Sequence, residues 1–310
     1  MSPIEQSIKR KIESVGTPLK DWDINIYRGV LTGCNEAFII STEKRDEILA
    51  NCETEEERAR TSELIRPILR GRDIKRYGYE WANLYLIATF PACRYDIDNY
   101  PAVKDYLVSF AEQNLRESGN NWVADLYLED YCKQKLAQTG KFIEIKGKRI
   151  YIGNTAEKAR KKTSNKWFET QDSISYWEDF YKPKIMYPNM TKFMPFYYDE
   201  KQFFQNDKSF MITGEHTAFL TAFLNSSIFK FCFIDNFPEL LGGTRELRKI
   251  FFDKIPVLQV SDEVNNTFIP IIESIQMEYT YEKAKEVDSM IFDLYNLTLE
   301  ERQVIGFVEF

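Results

Sequence analysis

The chain has 310 residues, 44% of them hydrophobic and 15% aromatic, with a formal net charge of −7. That apolar content excludes disorder as a description of most of it, and the length suits one large domain or two modest ones. No run of about 18 apolar residues and no apolar signal core occurs, so a soluble, cytoplasmic protein with no membrane partner is expected.

Residues 3–14 have the spacing of a short amphipathic helix that Gly16 and Pro18 end. "WDINIYRGV" and "EAFIIS" read as two strands around the turn "LTGCN", a hairpin-like entry to a sheet. Thr54 with Glu57 three residues on predicts a capping box for a helix running through "SELIRPIL". The cationic stretch "RGRDIKR" then falls at the end of that helix. "WANLYLIATF" is a strand, and Pro101 opens a helix that Gly119 closes. "KFIEIKGKRIYIG" predicts a β-hairpin turning at Lys146-Gly147-Lys148, and "KPKIMYP" a further strand. "TAFLTAFLNSSIFKFCFI" is apolar nearly all round and reads as one buried helix. Beyond Pro256 the pattern turns to acidic helices, the last opened by a second capping box from Thr298 to Glu301. The expected fold class is α+β, with domain boundaries at 1–22, a linker helix, 23–256, the main domain, and 257–310, a C-terminal helical segment.

Charge is segregated along the chain. Residues 65–77 hold Arg66, Arg70, Arg72, Lys75 and Arg76 against Asp73 alone. Residues 141–166 hold nine bases and two acids, a net of +7, while 261–310 hold eleven acids and three bases. Screening acts over roughly 8 Å, so a polyanion at a basic loop responds to that loop and not to distant acids. An acidic average therefore leaves nucleic-acid binding open. The bland reading of "EKARKKTSNK" is a solvated lysine-rich loop. The aromatics between Trp167 and Phe193 suit base stacking or, more commonly, core.

Catalytic patterns are sparse. Five cysteines, Cys34, Cys52, Cys93, Cys132 and Cys232, are scattered without a C-x-x-C pair, which argues against a disulfide framework and a zinc site. The only histidine, His216, lacks neighbouring ligands or a nucleophile and suits a helix terminus. Neither G-x-G-x-x-G nor a P-loop occurs, and the pair in "LLGGTRELRK" fits a phosphate contact or a plain turn equally. Glu144 and Lys146, with Asp125 or Asp130 upstream, form an E-x-K pattern of the metal-nuclease kind, a pattern frequent by chance in a chain 29% charged.

Together "GTPLKDWDINIYRGVLTGCNEAFII", "IRPILRGRDIKRYGYEWANLYLIATF", "YKPKIMYP", "FLTAFLNSSIFKF" and "VDSMIFDLYNLTLEE" resemble the C-terminal region of type IIG restriction-modification enzymes. That region is the TaqI-like target-recognition, or specificity, domain of adenine-N6 DNA methyltransferases. The likeness extends over nearly the whole chain, with "TGCNEAF" and "LRGRDIKRY" its most specific parts and 119–180 its least similar. The resemblance implies a mixed twisted β-sheet with flanking helices that recognises double-stranded DNA. It also implies an upstream methyltransferase domain or subunit holding S-adenosylmethionine, often with a Mg-dependent endonuclease. This chain has no N-P-P-Y motif and no glycine-containing cofactor motif, so no catalytic residue, cofactor or metal is carried over to it. The alternatives are an interaction subunit that docks a separate methyltransferase through the acidic helices, and a nuclease using Glu144 and Lys146.

On this reading Arg70, Arg72, Lys75 and Arg76 face phosphates, with Asp73 holding one arginine; the competing role is an internal salt-bridge cluster. Duplex contacts are also expected from Lys146, Lys148, Arg149, Asn154, Lys158, Arg160, Lys161, Lys162 and Lys166. This hairpin and loop is assigned the sequence readout, where Arg and Lys reach guanine and Asn154 or Asn165 pairs with adenine, with Lys161 and Lys162 weighed as phosphate contacts and Arg149 and Asn154 as base contacts.

Overall fold

The computed structural model describes residues 2–113, 116–118, 121–123, 143–145, 148–150, 164–192 and 194–308. Two units interleave along the chain: Met1–Gly29, Leu69–Ala82 and Glu178–Phe310 form the first, and Val30–Ile68 with Asn83–Trp177 the second. The class is mixed α+β, as expected. The expected three consecutive segments, by contrast, do not follow these units.

In the first unit Tyr197–Asp199, Lys184–Pro188, Ser209–Gly214 and Ile24–Arg28 lie side by side in one antiparallel sheet. Alternate residues of a strand point to opposite faces. Ile185 and Tyr187 accordingly join the large core with the helices Thr217–Leu224 and Asp262–Met277, while Met186 packs with Leu69, Ile74, Tyr197 and Phe203. Burial on both faces explains why all five residues of Lys184–Pro188 are buried and why the segment reads without polar alternation.

Ser2 closes a capping box with Glu5 on the helix Pro3–Val15, whose Ile8 and Ile12 are fully buried in that same core. Thr17–Pro18 then pairs with Pro256–Val257. Residues at both ends of the sequence, expected to be a linker and a separate helical segment, thus share one core with the sheet.

The long apolar run is two helices, Thr217–Leu224 and Ser227–Phe233, set at 65° to each other. Two polar residues in the middle of the run cause the break. Asn225 binds the Phe196 main chain through both amide atoms, at 2.8 and 3.3 Å, and Ser226 caps the second helix by accepting from the Phe229 N–H. No single helix among the described residues is long and apolar enough to cross a membrane.

The C-terminal helices Tyr281–Leu294 and Leu299–Ile305 follow, the latter opened by the predicted Thr298–Glu301 box. Lys11 donates to Asn296 O at 2.7 Å and to Glu301 at 2.8 Å. Burial pushes the Glu301 carboxyl up, but Lys11 and the Thr298 N–H outweigh it, so its pKa lies below the ordinary value. A carboxylate with a lowered folded pKa contributes stability above its unfolded value of about 4.3 and loses it as pH falls through the folded value. In urea titrations across pH 5 to 3 (about one unit either side of that value), Lys11→Met is therefore expected to show a shallower acid loss than the parent; parallel curves would remove this pair from the account.

In the second unit Ile39–Ser41 and the strand from Ile65 both pair antiparallel with Leu84–Ile87. The expected hairpin around "LTGCN" does not form. Asn35–Phe38 is a short helix, and Ile24–Arg28 pairs with Ser209–Gly214 instead. Thr54 caps the helix Glu55–Leu64 as predicted, but Glu57 does not complete a box: its carboxylate accepts from the Glu53 N–H at 2.9 Å and the Ala102 N–H at 3.1 Å. It so stabilises the first turn of the next helix, Pro101–Gln113, where the dipole favours an anion. That helix stops before Gly119, because Arg116–Ser118 and Asn121–Val123 form an antiparallel pair.

Candidate nucleic-acid interface

The basic stretch 65–77 lies beyond a strand, not at a helix end: the helix finishes at Leu64, Ile65–Leu69 is extended, and Gly71–Asp73 is a single tight turn before Ile74–Lys75. A Cβ on Gly71 would sit 2.5 Å from the Lys208 carbonyl oxygen, so the turn admits glycine only. The Gly71 N–H donates to Asn206 Oδ1 at 3.2 Å.

Within this turn the four expected phosphate ligands divide. Buried Asp73 accepts from Arg70 three times: from its main-chain N–H at 2.8 Å, Nε at 2.9 Å and Nη2 at 2.8 Å. The Arg70 fork is committed to one carboxylate, the geometry in which arginine pairs most strongly. Arg76 donates to the Tyr279 hydroxyl and the Asn225 carbonyl, both at 2.7 Å, and its guanidinium lies 5.3 and 5.6 Å from the Tyr77 and Tyr279 ring centres. It braces the turn between the last two long helices. Lys75 donates to Arg72 O at 3.0 Å and sits 3.7 Å from Glu80, with about a third of its side chain in solvent. Arg72 is exposed and makes no ion pair or side-chain hydrogen bond among the described residues. The stretch is thus an internal brace carrying one outward arginine and one half-exposed lysine.

The predicted hairpin forms, with Ile143, Glu144 and Ile145 opposite Ile150, Arg149 and Lys148. Because Ile145 pairs with Lys148, Lys148 belongs to the return strand and not, as expected, to the turn. Arg149 lies on the same strand. Lys146, Asn154, Lys158, Arg160, Lys161 and Lys162 lie outside the described residues, as do Asp125 and Asp130. Lys166 is exposed, its ammonium 5.7 Å from the Phe168 ring. Asn165, weighed as an adenine contact, spends its amide on the Thr170 and Gln171 carbonyls at 3.0 and 2.8 Å. The arginine turn 70–76 and the hairpin belong to different units.

Of the aromatics weighed for base stacking, Trp167, Phe168 and Phe180 are buried and serve as core, and Tyr181 is 38% exposed. His216 stands just before the helix Thr217–Leu224 with its backbone in the left-handed region; its Nε2 lies 2.9 Å from Asp262 Oδ1 and its ring meets Trp22 edge-on. Among the described residues no three His, Cys, Asp or Glu gather as a metal site.

One feature escaped the sequence reading. "LLGGT" forms the tip of a hairpin, where Leu240 N donates to Thr244 O at 2.7 Å, and Leu241 is fully exposed. The glycine pair, read equally as a phosphate contact or a plain turn, forms a turn, and the two leucines before it were the available signal for its exposed apolar tip.

Antiparallel sheets with helical flanks, and cations set at turns beside rigid strands, define a mixed α+β module. Residues 139–257 match the TaqI-like C-terminal specificity domain. The match takes in the hairpin, Lys184–Pro188 and the Leu240–Thr244 tip, and leaves "TGCNEAF" and "LRGRDIKRY" outside it. Two solved structures share the fold. The type IIG restriction endonuclease BpuSI superposes with a TM-score of 0.52 at 13% identity, over 95% of this chain and 34% of its own. The type IIL restriction-modification enzyme MmeI, solved in complex with DNA, gives 0.52 at 10% identity, over 92% and 34%. This chain therefore spans about a third of the length of either. No curated protein sequence matches it.

Proposed function

We infer that this chain recognises double-stranded DNA in a sequence-specific manner, as the specificity domain of a type IIG restriction-modification enzyme of the adenine-N6 methyltransferase kind. The observation that carries the reading is the specificity-domain match over 139–257 on a chain whose fold agrees with two restriction enzymes over more than nine-tenths of its length. Catalysis, on this reading, belongs to a methyltransferase domain or subunit that binds S-adenosylmethionine and flips the target adenine, with any Mg-dependent cleavage in a further domain. The present chain holds the flanking duplex. Phosphate contacts from Arg72, Lys75 and the lysines of 158–166 set register, and Lys148, Arg149 and Asn154 supply base contacts.

Selection from a randomised duplex pool tests this directly. The full chain, at low salt and with a methyltransferase subunit added in a parallel arm, is expected to enrich one short motif over several rounds. Enrichment only in the arm with the subunit would favour the docking role for the acidic helices. Binding without enrichment in both arms would reduce the chain to a non-specific polyanion binder.

A further inference from the structure

The hairpin Pro238–Leu247 is built as a rigid prong. Its two roots, Phe237 and Leu247, are buried in the main core of their unit. Between them Glu239 pairs with Arg245, and Arg245–Glu246 adds to Met190–Thr191 as a second antiparallel pair. Arg245 ties the stem by donating to the carbonyls of Ile234 and Phe237, at 3.2 and 2.7 Å, and to the carboxylates of Asp235 and Glu239, at 3.1 and 3.3 Å. Arg245 thus offsets one of the two acids it touches and ties Asp235, before the hairpin, to Glu239 within it.

At the tip Gly242 and Gly243 have φ of 80° and 76°, and a Cβ on either would meet nothing within 4 Å. The turn is slender and open on all sides. Leu241 is 100% exposed and Leu240 40%. Burying a leucine that stands wholly in water is worth about 1.5–3 kcal/mol, which Leu241 at the tip of a braced turn offers to a contact.

The size of that contact selects the partner. A stable protein interface buries about 800 Å² per side, far more than one leucine on a two-glycine turn offers. A base step, by contrast, accepts a single apolar wedge, with leucine among the side chains that suit it. Lys192 is exposed beside the stem, positioned for a flanking phosphate, while Arg248, exposed as well, pairs with Glu246 at 2.7 Å.

We propose that Leu241 is an apolar wedge that enters duplex DNA between adjacent base pairs, with Leu240 backing it and Arg245 holding the prong stiff. The proposal rests on the duplex-recognition reading above and adds to it a position where the chain reads deformability. Flexible pyrimidine–purine steps open most readily and are the natural target.

The test compares an intact 30-bp duplex with the same duplex carrying one central abasic site, which is already unstacked. The parent chain is expected to bind the abasic duplex about tenfold more tightly, since no stacking is given up. Leu241→Ala should abolish that preference while leaving the salt dependence of binding unchanged, and Leu241→Met should keep it. Because Leu241 touches no core residue, folding is preserved; an unshifted thermal melt confirms it. A preference retained in Leu241→Ala, or absent from the parent, overturns the wedge while duplex binding stands. A change of oligomeric state in Leu241→Ala would assign the prong to a protein contact and overturn it as well. Failure of the parent to bind either duplex removes the duplex reading, and the wedge with it.

Discussion

Lys184→Met is expected to lower the unfolding free energy by about 3–5 kcal/mol, the cost of leaving a buried charge without its partner. Lys184 and Asp199 have fully buried side chains and face each other directly across neighbouring strands. The ammonium donates to Asp199 Oδ2 at 2.5 Å and to the Phe180 carbonyl at 2.7 Å. Asp199 in turn accepts from the main-chain N–H groups of Lys201 and Phe203, at 3.0 and 2.9 Å, and so fixes the turn that leads to Phe204. Methionine keeps the aliphatic length and removes the charge, which orphans Phe180 O and leaves a carboxylate in the sheet interior. Asp199→Asn in the same chain should recover more than half of the loss, because asparagine still accepts from both N–H groups without a charge to desolvate. Urea unfolding with global fitting measures both; a loss below about 1 kcal/mol would show that the pair is solvated in solution. Lys184 therefore serves the fold, although it lies in one of the segments that carry the resemblance to a DNA-recognition domain.

That lysine illustrates which features local sequence makes legible. Caps are local: Thr54 and Thr298 each accept from the N–H three residues on, and both were readable from spacing alone. The strands around Leu84–Ile87 and Lys184–Pro188 were likewise readable from composition. Pairing was not. Ile24–Arg28 finds its partner some 185 residues along the chain, at Ser209–Gly214, and nothing in "LTGCN" forbids the nearer hairpin. A nearly all-apolar run hid the break, because the polar stretch Asn225-Ser226-Ser227 is only three residues wide and the Phe196 main chain that Asn225 serves lies elsewhere.

The same division runs through the candidate interface. Arg70 and Asp73 are three residues apart, and their pairing was foreseeable. Arg76 meets Tyr279 across 203 positions, so its role as a brace could come only from the fold. Counting cations in a sequence cannot separate those already spent on internal acceptors from those left for a ligand.

This separation yields the largest functional effect expected. Each phosphate neutralised by a lysine or arginine adds roughly 0.9 to the slope of log affinity against log salt. Arg70 and Arg76 have given their donors to Asp73, Tyr279 and Asn225, so Arg70→Ala and Arg76→Ala are expected to lower stability and leave the slope unchanged. Arg72→Ala, which removes an exposed guanidinium, should flatten it by about 0.9. The double replacement Lys161→Ala, Lys162→Ala should flatten it by about 1.8 and weaken binding at low salt by roughly ten- to a hundredfold, uniformly across sequences. Arg149→Ala or Asn154→Ala should instead change which duplex is preferred, by about 1–3 kcal/mol at one position, with little effect on slope. Fluorescence anisotropy over a salt series separates these outcomes. Should Arg70→Ala and Arg76→Ala flatten the slope as much as Lys161→Ala, Lys162→Ala does, the internal bonds of the 65–77 turn would have to open on binding, and that turn would be a phosphate clamp formed only on DNA.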